Sequence, residues 1–418
     1  MIEANKQIIL KNGLRILFIK DRNAKVDALG IAVNAGPYFE DEGKEGISHL
    51  IEHTIGRLKN SELTFREKVY EKEGIIDAST TVFQTFYHLY TNPEKLLENA
   101  KLMVDGIFHS KFDNASLGFS KESVISEIAF SEEFSSYEVL RSMMWKDPRL
   151  SRSIVGSKDS LLGVTLEEVK KYHKYFYTSQ NSSVVVIGPS FPDELLTVLE
   201  KIPANDKFVL PTVDVSLKKP SYRIFQERNL HSMIALSFPT KGFVGLGEER
   251  HLFNITATAL SDIYIASLGS SGLVYEGNWN WNIYPQTGDF VIFLESLESD
   301  HVVSALKKGL EIVSSWPEFP LSPEKFDLVK KHIILNLQIG VSLTEALPLF
   351  TRNFSSSEIA HTYDEAEKVY RKADIKSTFD TVKKVILSEK PYSVVNLGTD
   401  SLESLGKINQ IFYNLYDK

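Results

Sequence analysis

The spacing of apolar residues along the chain predicts strands first and then a change to helix. The stretch KQIILKNGLRILFIKD, residues 6–21, reads as two short aliphatic strands joined at Asn12-Gly13, a dipeptide typical of a hairpin turn. The next stretch, VDALGIAVNAG, predicts a third strand that ends at Gly36. The apolar period then lengthens to that of a helix over about 45–59, with a predicted buried face of Ile47, Leu50, Ile51, Thr54, Ile55 and Leu58.

The rest of the first half continues to mix strands and helices. TFREKVYEKEG predicts a second helix that ends at Gly74, and IIDASTTVFQTFYHLYT, which is rich in β-branched and aromatic residues, predicts strand. Helices are predicted over about 93–108, 118–146 and 165–178. NSSVVVIGPS then predicts a buried strand that ends at Gly188.

The second half repeats this order of elements. KPYSVVNLGTDS near the C-terminus is similar to NSSVVVIGPS, and the glycines that end the two strands, Gly188 and Gly398, lie half a chain length apart. Because strands and helices recur in the same order between them, we predict two similar α+β halves. The predicted domains are 1–209 and 222–418, joined by a polar, proline-bearing linker over 210–221.

Composition narrows the classes of function without identifying one. The 418 residues include 47 basic and 55 acidic residues, and the net charge of −8 argues against a nucleic-acid-binding protein. The chain has no cysteine, so any transition metal must be held by His, Asp or Glu. The N-terminus does not read as a signal peptide, and no run approaches the ~18 apolar residues of a membrane helix. We therefore expect a cytoplasmic protein without a membrane span.

Residues 46–57, GISHLIEHTIGR, place two histidines and a glutamate within five positions of the predicted helix. His49 and His53 are four residues apart and share a helix face, so both imidazoles can bind one ion. Glu52 lies beside them, in the H-x-x-E-H order that reverses the zincin motif. In such a site the imidazoles hold Zn²⁺, and the carboxylate takes a proton from the water that the metal activates. The alternative is an ordinary amphipathic helix whose histidines flank its buried stripe.

A zinc site with two histidines needs a third protein ligand, which is commonly a carboxylate. The chain offers 55 acidic residues, and their spacing alone leaves the choice open. A helix that carries its acid beside apolar neighbours is favoured because the ligand must point inward. SKESVISEIAFSEE, residues 120–133, has Glu127 between Ile125 and Ile128, whereas Glu122 on the same helix is expected on the solvated surface.

These stretches resemble the inverzincin zinc peptidases, the family of pitrilysin, insulin-degrading enzyme and mitochondrial processing peptidase. LKNGLRIL resembles the family's opening hairpin, AGPYFEDEGKEGISHLIEH its approach to the metal helix, and KESVISEI its third-ligand helix. The resemblance covers most of residues 6–190 and is looser in the second half. It implies one Zn²⁺ per chain, held by His49, His53 and Glu127, with Glu52 as general base. It also implies an α+β fold of two similar halves, each a mixed, mostly antiparallel sheet backed by helices.

The stretch GIIDASTTVFQTFYHLY resembles the family's strand that binds the peptide substrate edge-on. A peptide that adds to a sheet edge is held through main-chain hydrogen bonds, with little dependence on its sequence. The resemblance therefore implies that Asp77, Ala78 and Ser79 contact substrate, although the family usually has Asn at the position of Asp77. The alternative is an ordinary strand without a binding role.

Two positions depart from the family pattern. Ser120 stands where the third-ligand helix usually has a second glutamate, seven residues before the ligand. In LGSSGLVY, Tyr275 stands at the position of a substrate-contacting tyrosine, whereas Leu268 replaces the arginine of many members. Tyr275 is alternatively a strand residue of a packed sheet.

The absence of an arginine at position 268 affects the subunit assembly that we expect. Short members of the family resemble half of a closed clamshell chamber, and some pair a metal-bearing subunit with a homologous one that supplies the arginine and tyrosine. We therefore expect the zinc-bearing subunit of a heterodimeric metalloendopeptidase that hydrolyses peptides or short unfolded segments. The alternatives are a homodimeric oligopeptidase that acts without a partner, and a non-catalytic structural or binding subunit of the same fold.

Overall fold

The computed structural model of the chain describes residues 2–58, 63–131, 135–189, 191–226, 231–296, 301–316, 321–339, 343–355, 363–398 and 403–416. These residues form two compact units, each built on one β-sheet. The first unit falls within Met1–Glu132, Arg152–Thr212 and Gly340–Ala360, and the second within Glu133–Ser151, Val213–Ile339 and His361–Lys418.

The sheet of the first unit has six strands: β1 (Ile2–Ile9), β2 (Arg15–Asp21), β3 (Asp27–Val33), β4 (Gly74–Thr80), β5 (Thr85–Thr91) and β6 (Ser182–Gly188). Their order is β1-β2-β6-β3-β5-β4. β6 is parallel to β2, and every other neighbouring pair is antiparallel. The predicted hairpin at Asn12-Gly13 is observed between β1 and β2, and Gly13 has the positive φ of 82° that its turn requires.

The helices of the first half are α1 (Ile47–Arg57), α2 (Phe65–Glu71), α3 (Leu96–Phe108), α4 (Asn114–Ser131), α5 (Ser135–Met144), α6 (Lys158–Gly163), α7 (Leu166–Phe176) and α8 (Asp193–Leu199). All except α5 belong to the first unit. Their apolar faces form one buried core with the inner face of the sheet, to which β3 contributes Leu29, Ile31 and Val33.

The second sheet has five strands: β7 (Tyr222–Gln226), β8 (Ser232–Lys241), β9 (Glu276–Ile283), β10 (Thr287–Ser296) and β11 (Tyr392–Leu397). Their order, β7-β11-β8-β10-β9, repeats that of β2-β6-β3-β5-β4, including the parallel insertion of the last strand beside the first. β6 and β11 are the two strands whose sequence similarity predicted a repeat. The predicted fold class of two similar α+β halves is therefore confirmed.

Helices of the second half begin with α9 (Glu249–Ala259), a π-helical turn (Leu260–Ile265) and α10 (Ala266–Ser270). The others are α11 (His301–Ser315), α12 (Pro323–Ile339), α13 (Leu343–Ser355), α14 (Tyr363–Lys372), α15 (Ile375–Val385) and α16 (Leu405–Tyr416). None of the helices that the structure describes has both the length and the apolar character needed to cross a membrane.

The compact units depart from the predicted contiguous domains, 1–209 and 222–418, in two helices. The segment predicted as helical near 118–146 contains α4 of the first unit and α5, which packs on β8 and β11 of the second unit. Conversely, α13 packs on β3 and β6 of the first unit. The correction has a physical cause, because each central strand is apolar on both faces and needs a cover on both. The boundary between the units near 212 does fall inside the predicted linker over 210–221.

Small side chains let α13 approach the sheet closely. The strand β3 directs its large residues to the helical core, whereas Ala28, Gly30 and Ala32 alternate onto the other face. A Cβ added to Gly30 would collide with the hydroxyl of Thr351 and lie 3.2 Å from a methyl of Leu347, both on α13. The strand therefore needs glycine at this position for packing.

Gly30→Ala should lower the free energy of unfolding by about 1–3 kcal/mol, because the new methyl group overpacks the contact with α13. Gly118→Ala on α4 is the matched control: its added Cβ meets open space, so the loss of backbone freedom should stabilise the protein by up to ~1 kcal/mol. Thermal unfolding of both variants measures the difference. Thr351→Ala should restore part of the stability lost in Gly30→Ala, and a Gly30→Ala protein as stable as wild type would contradict the packing.

Candidate metal centre

Helix α1 carries three of the four residues of the predicted centre. It follows Gly46, whose φ of 91° lies in the left-handed region that favours glycine. The buried face includes Leu50, Ile51 and Ile55 as predicted. His49 is buried and His53 lies one turn further along, with their ring centroids 4.5 Å apart. The structure therefore places both imidazoles on one face of the helix.

Three potential ligand atoms converge at this face. Nε2 of His49 lies 3.2 Å from Oε2 of Glu127, and Nε2 of His53 lies 3.5 Å from the same oxygen. In the part of the chain that the structure describes, this is the one group of three His, Asp or Glu residues whose ligand atoms all lie within 4.8 Å of one another. Tetrahedral zinc, with bonds of ~2.1 Å, holds its ligand atoms about 3.4 Å apart. Two imidazoles and one carboxylate at these separations fit a zinc ion.

Glu127 reaches the centre from α4, as predicted, but it is more exposed than the sequence argument expected. Its side chain is 45% accessible, compared with 10% for His49 and 22% for His53. The neighbouring Val124 is buried and Ile128 packs against the core, so they fix the helix while the carboxylate lies at a solvent-facing opening. An open side is what a catalytic metal site requires.

Glu52 is held against β4. Its side chain is 11% exposed, and Oε2 accepts a hydrogen bond of 2.8 Å from the hydroxyl of Thr80 and lies 3.4 Å from Nδ1 of His49. Burial raises the pKa of Glu52, but the nearby charge of His49, together with the Thr80 hydroxyl, brings the pKa below its ordinary value. Glu52 is therefore an ionised carboxylate beside the three potential ligands.

The two histidines differ in their electrostatic surroundings. Burial lowers the pKa of His49, but the carboxylates of Glu52 and Glu127 raise it above its ordinary value. Burial and the nearby positive charge of His49 lower the pKa of His53. Both imidazoles must be neutral to bind a metal, so a metal ion competes with protons mainly at His49.

Three further residues around Glu52 were not predicted from the sequence. Thr80 is the last residue of β4 and donates a hydrogen bond to Glu52. Tyr87 on β5 and Tyr177 after α7 form a buried pair whose hydroxyl oxygens lie 3.0 Å apart. Burial is the main cause that raises the pKa of both tyrosines, so their hydroxyls stay neutral near the Glu52 carboxylate. The sequence carries no local signal for these contacts, because they arise only where separate elements meet.

The strand predicted to bind substrate is β4, one of the two edge strands of the first sheet as described. The stretch 75–91, which was predicted as strand, forms most of the β4–β5 hairpin, with Asp77 and Ser79 exposed on β4 and Ala78 partly buried. A cavity of ≈ 420 Å³ is lined by Asp77 and Ala78 together with Glu52 and His53. The edge strand and the candidate centre therefore border the same cavity.

The two departures from the family pattern have clear structural settings. Ser120 is buried on α4 and donates its hydroxyl to the carbonyl of Ser116, so it serves its own helix. Leu268 is buried in the core of the second unit. Tyr275 is 69% exposed in that unit, and its backbone N–H bonds to Glu295.

Purified protein supplied with zinc should bind one ion per chain, and Glu127→Ala should weaken this binding strongly because it removes the oxygen on which both imidazoles converge. Glu122→Ala is the matched control, since Glu122 is an exposed acid on the same helix. Elemental analysis after dialysis and titration with a competing chelator measure both quantities. Equal zinc content in the two variants would contradict the assignment of Glu127.

Comparison with protein families finds two matches in sequence order. Residues 15–158 match the insulinase model of peptidase family M16, and residues 163–332 match the peptidase M16 inactive domain. The first match contains all four residues of the predicted centre, and the second begins within the first unit and covers β7 to β10.

Two curated relatives are similar over about half of this chain. A probable mitochondrial-processing peptidase subunit beta of Arabidopsis thaliana is 23% identical over 198 residues, which cover 46% of this chain and 37% of the relative. An uncharacterized zinc protease, YmxG, of Bacillus subtilis is 24% identical over 201 residues, 47% of this chain and 49% of the relative. The matched region thus spans about half the length of these relatives or less.

Solved structures share the fold over almost the whole chain. A protease from Helicobacter pylori superposes with a TM-score of 0.83 at 16% identity, covering 95% of this chain and all (100%) of that one. A peptidase M16 inactive domain from Pseudomonas fluorescens superposes with a TM-score of 0.81 at 13% identity, covering 95% and 98%. The resemblance inferred from the motifs is confirmed: the chain belongs to the insulinase-like peptidase family M16.

Proposed function

We propose that this chain is the zinc-bearing subunit of a metalloendopeptidase that hydrolyses peptides or short unfolded segments. The observation that carries the proposal is the convergence of His49, His53 and Glu127, with the ionised Glu52 beside them. Membership of a family of zinc peptidases supports the same chemistry.

His49, His53 and Glu127 would hold the zinc ion through Nε2, Nε2 and Oε2. When bound, zinc lowers the pKa of a coordinated water and polarises the carbonyl of the scissile peptide bond. The protein's part is to keep the three ligand atoms converged. Burial of α1 on its apolar face and of α4 on Val124 supplies this rigidity.

Glu52 is the general base. Its Oε2 carries the contacts with Thr80 and His49, which leaves Oε1 to take the proton of the attacking water. The same carboxylate then gives the proton to the leaving amine. The Thr80 hydrogen bond matters because it holds the carboxylate on the side of α1 that faces the cavity.

The free edge of β4 is the proposed binding surface for the peptide main chain. Among the strands that the structure describes, only β5 pairs with β4, and the exposed positions of β4, Asp77 and Ser79, are polar. An extended peptide that pairs with residues 77–79 would lie along the cavity that Glu52 and His53 border. Recognition through main-chain hydrogen bonds suits a peptidase that accepts varied sequences.

The stabilising donor for the oxyanion is proposed to come from a partner. Leu268, at the family's arginine position, is part of a hydrophobic core, so no guanidinium is available there. Loss of such a donor slows acyl transfer by about 10²–10³-fold. Several relatives are named as beta subunits of a processing peptidase, which supports a heterodimer in which a homologous chain supplies the arginine and tyrosine. In the same proposal, Tyr275 contacts the substrate.

Glu52→Gln should retain one zinc per chain and lose peptide hydrolysis by at least about 10²-fold, because the amide cannot accept the proton. Hydrolysis of a fluorogenic peptide and elemental analysis of the same preparation measure the two effects. Glu122→Gln, at an exposed position of α4, is the control and should behave as wild type. Turnover retained in Glu52→Gln would exclude this residue as the base.

The purified chain should hydrolyse peptides slowly alone and about 10²-fold faster with a homologous subunit that carries an arginine–tyrosine pair, because the missing oxyanion donor is then restored. Assays at fixed zinc concentration, with size-exclusion chromatography of the mixture, measure rate and assembly. Full activity from the single chain would favour the homodimeric oligopeptidase instead. Zinc binding without activity in either arrangement would favour a non-catalytic subunit.

A further inference from the structure

The N-terminus of α1, the helix that carries the two proposed histidine ligands, is capped by a residue outside the helix. The N-cap residue of α1 is Gly46, which makes no side-chain hydrogen bond, and the first turn of the helix contains no acidic residue. Its first residues, Ile47, Ser48 and His49, are buried, and the N–H of Ile47 donates to the carbonyl of Lys44. Solvent does not satisfy the N–H groups of the buried Gly46 and Ser48. Another part of the chain must therefore supply an acceptor.

The carboxylate of Glu40 fills this role. One of its oxygens accepts a hydrogen bond of 2.8 Å from the N–H of Gly46, and the other accepts bonds from the N–H of Ser48, at 2.9 Å, and from the Ser48 hydroxyl. Glu40 is 4% exposed, so these hydrogen bonds form away from water, where they are strong. A side chain six residues before the N-cap Gly46 thus takes the place of the missing cap.

The loop that carries Glu40 is itself braced. Arg152 donates through Nη1 to the backbone carbonyls of Pro37 and Glu40. Two glycines then allow the backbones to touch: a Cβ on Gly46 would lie 2.6 Å from the carbonyl oxygen of Val155, and one on Gly156 would collide with the carbonyl of Glu45. Glu40 therefore projects from a fixed backbone.

The position of this charge matters for a metal on the same helix. The N-terminal end of a helix carries a partial positive charge, and His49 belongs to the first turn of α1. A divalent cation held by His49 is therefore disfavoured by the helix end, and an ionised carboxylate at that end offsets the repulsion. Burial raises the pKa of Glu40 to about 7, so this offset acts above about pH 7. Glu40 is well placed to act on the centre without touching a ligand.

We propose that Glu40 is a positioning residue for the metal centre, which fixes the first turn of α1 and offsets its positive end so that His49 and His53 bind zinc tightly. This inference rests on the proposed zinc site and adds a determinant outside its four residues. It predicts that the charge and hydrogen bonds of Glu40 set zinc affinity, beyond their contribution to folding.

Glu40→Gln tests the inference, since it keeps the size of the side chain but removes the charge and one acceptor. Thr165→Ala is the matched control, because Thr165 caps α7 in the same unit and α7 carries none of the proposed ligands. Both variants should show a lower midpoint of thermal unfolding. Only Glu40→Gln should lose zinc affinity, by about 10- to 100-fold in competition with a chelator at about pH 8, above the pKa of Glu40. Cobalt-substituted protein gives a second readout, with visible absorption bands shifted in Glu40→Gln and unchanged in Thr165→Ala.

A Glu40→Gln protein that binds zinc as tightly as Thr165→Ala and wild type would overturn the inference. If Glu40→Gln is not recovered folded, Ser48→Ala decides: it keeps the charge and both backbone hydrogen bonds, so a loss of roughly two- to fivefold in zinc affinity supports the inference, and unchanged affinity overturns it. A wild-type protein that binds no zinc would instead overturn the proposed function on which the inference rests.

Discussion

The meeting of one carboxylate oxygen with two imidazole nitrogens is the contact on which the chemistry of the first unit depends. It requires α1 to bury one side in the core and to present His49 and His53 on another, at the point where α4 brings Glu127. A helix of 11 residues has few hydrogen bonds of its own to hold such an arrangement. Tertiary contacts hold it instead: an apolar face below, Thr80 beside Glu52, and Glu40 at the helix start.

Burial on both sides of each sheet explains the unusual division of the chain. The central strands β3 and β6 are buried along their whole length. The large residues of β3 face the helical core, and its small residues lie on the face that α13 covers. In the second unit, Ala235 and Ser237 of β8 likewise point away from the core residues Ile234 and Leu236, on the strand against which α5 packs. Each sheet therefore takes one covering helix from the other half of the sequence, and neither half of the chain corresponds by itself to a compact unit.

The repeated topology makes the differences between the halves informative. Helix α9 follows β8 as α1 follows β3, yet its single histidine, His251, hydrogen-bonds the hydroxyl of Tyr370 rather than joining a group of acids. Among the described residues of the second unit, no three His, Asp or Glu side chains converge as ligands. The same fold thus carries the candidate chemistry once, and the family model that matches most of the second half is described as an inactive domain.

Local sequence patterns determined the features that depend on neighbours in the chain. The helical period, with histidines four residues apart, was enough to predict α1 and its shared imidazole face; Asn12-Gly13 predicted the first hairpin; and the similarity of β6 and β11 predicted two related halves. These follow from backbone periodicity and turn geometry, which act over a few residues.

Contacts between distant segments were decided only by the tertiary structure. The split of 75–91 into β4 and β5, the exchange of α5 and α13, and the places of Thr80, Glu40 and the two buried tyrosines all depend on which surfaces pack together. Glu127 shows both kinds of information. Its apolar neighbours predicted an inward-facing helix, but the resemblance to a family was needed to select it among 55 acidic residues. Only the structure revealed how exposed its side chain is. A one-dimensional pattern records which face of an element is apolar, but not which other element will cover it.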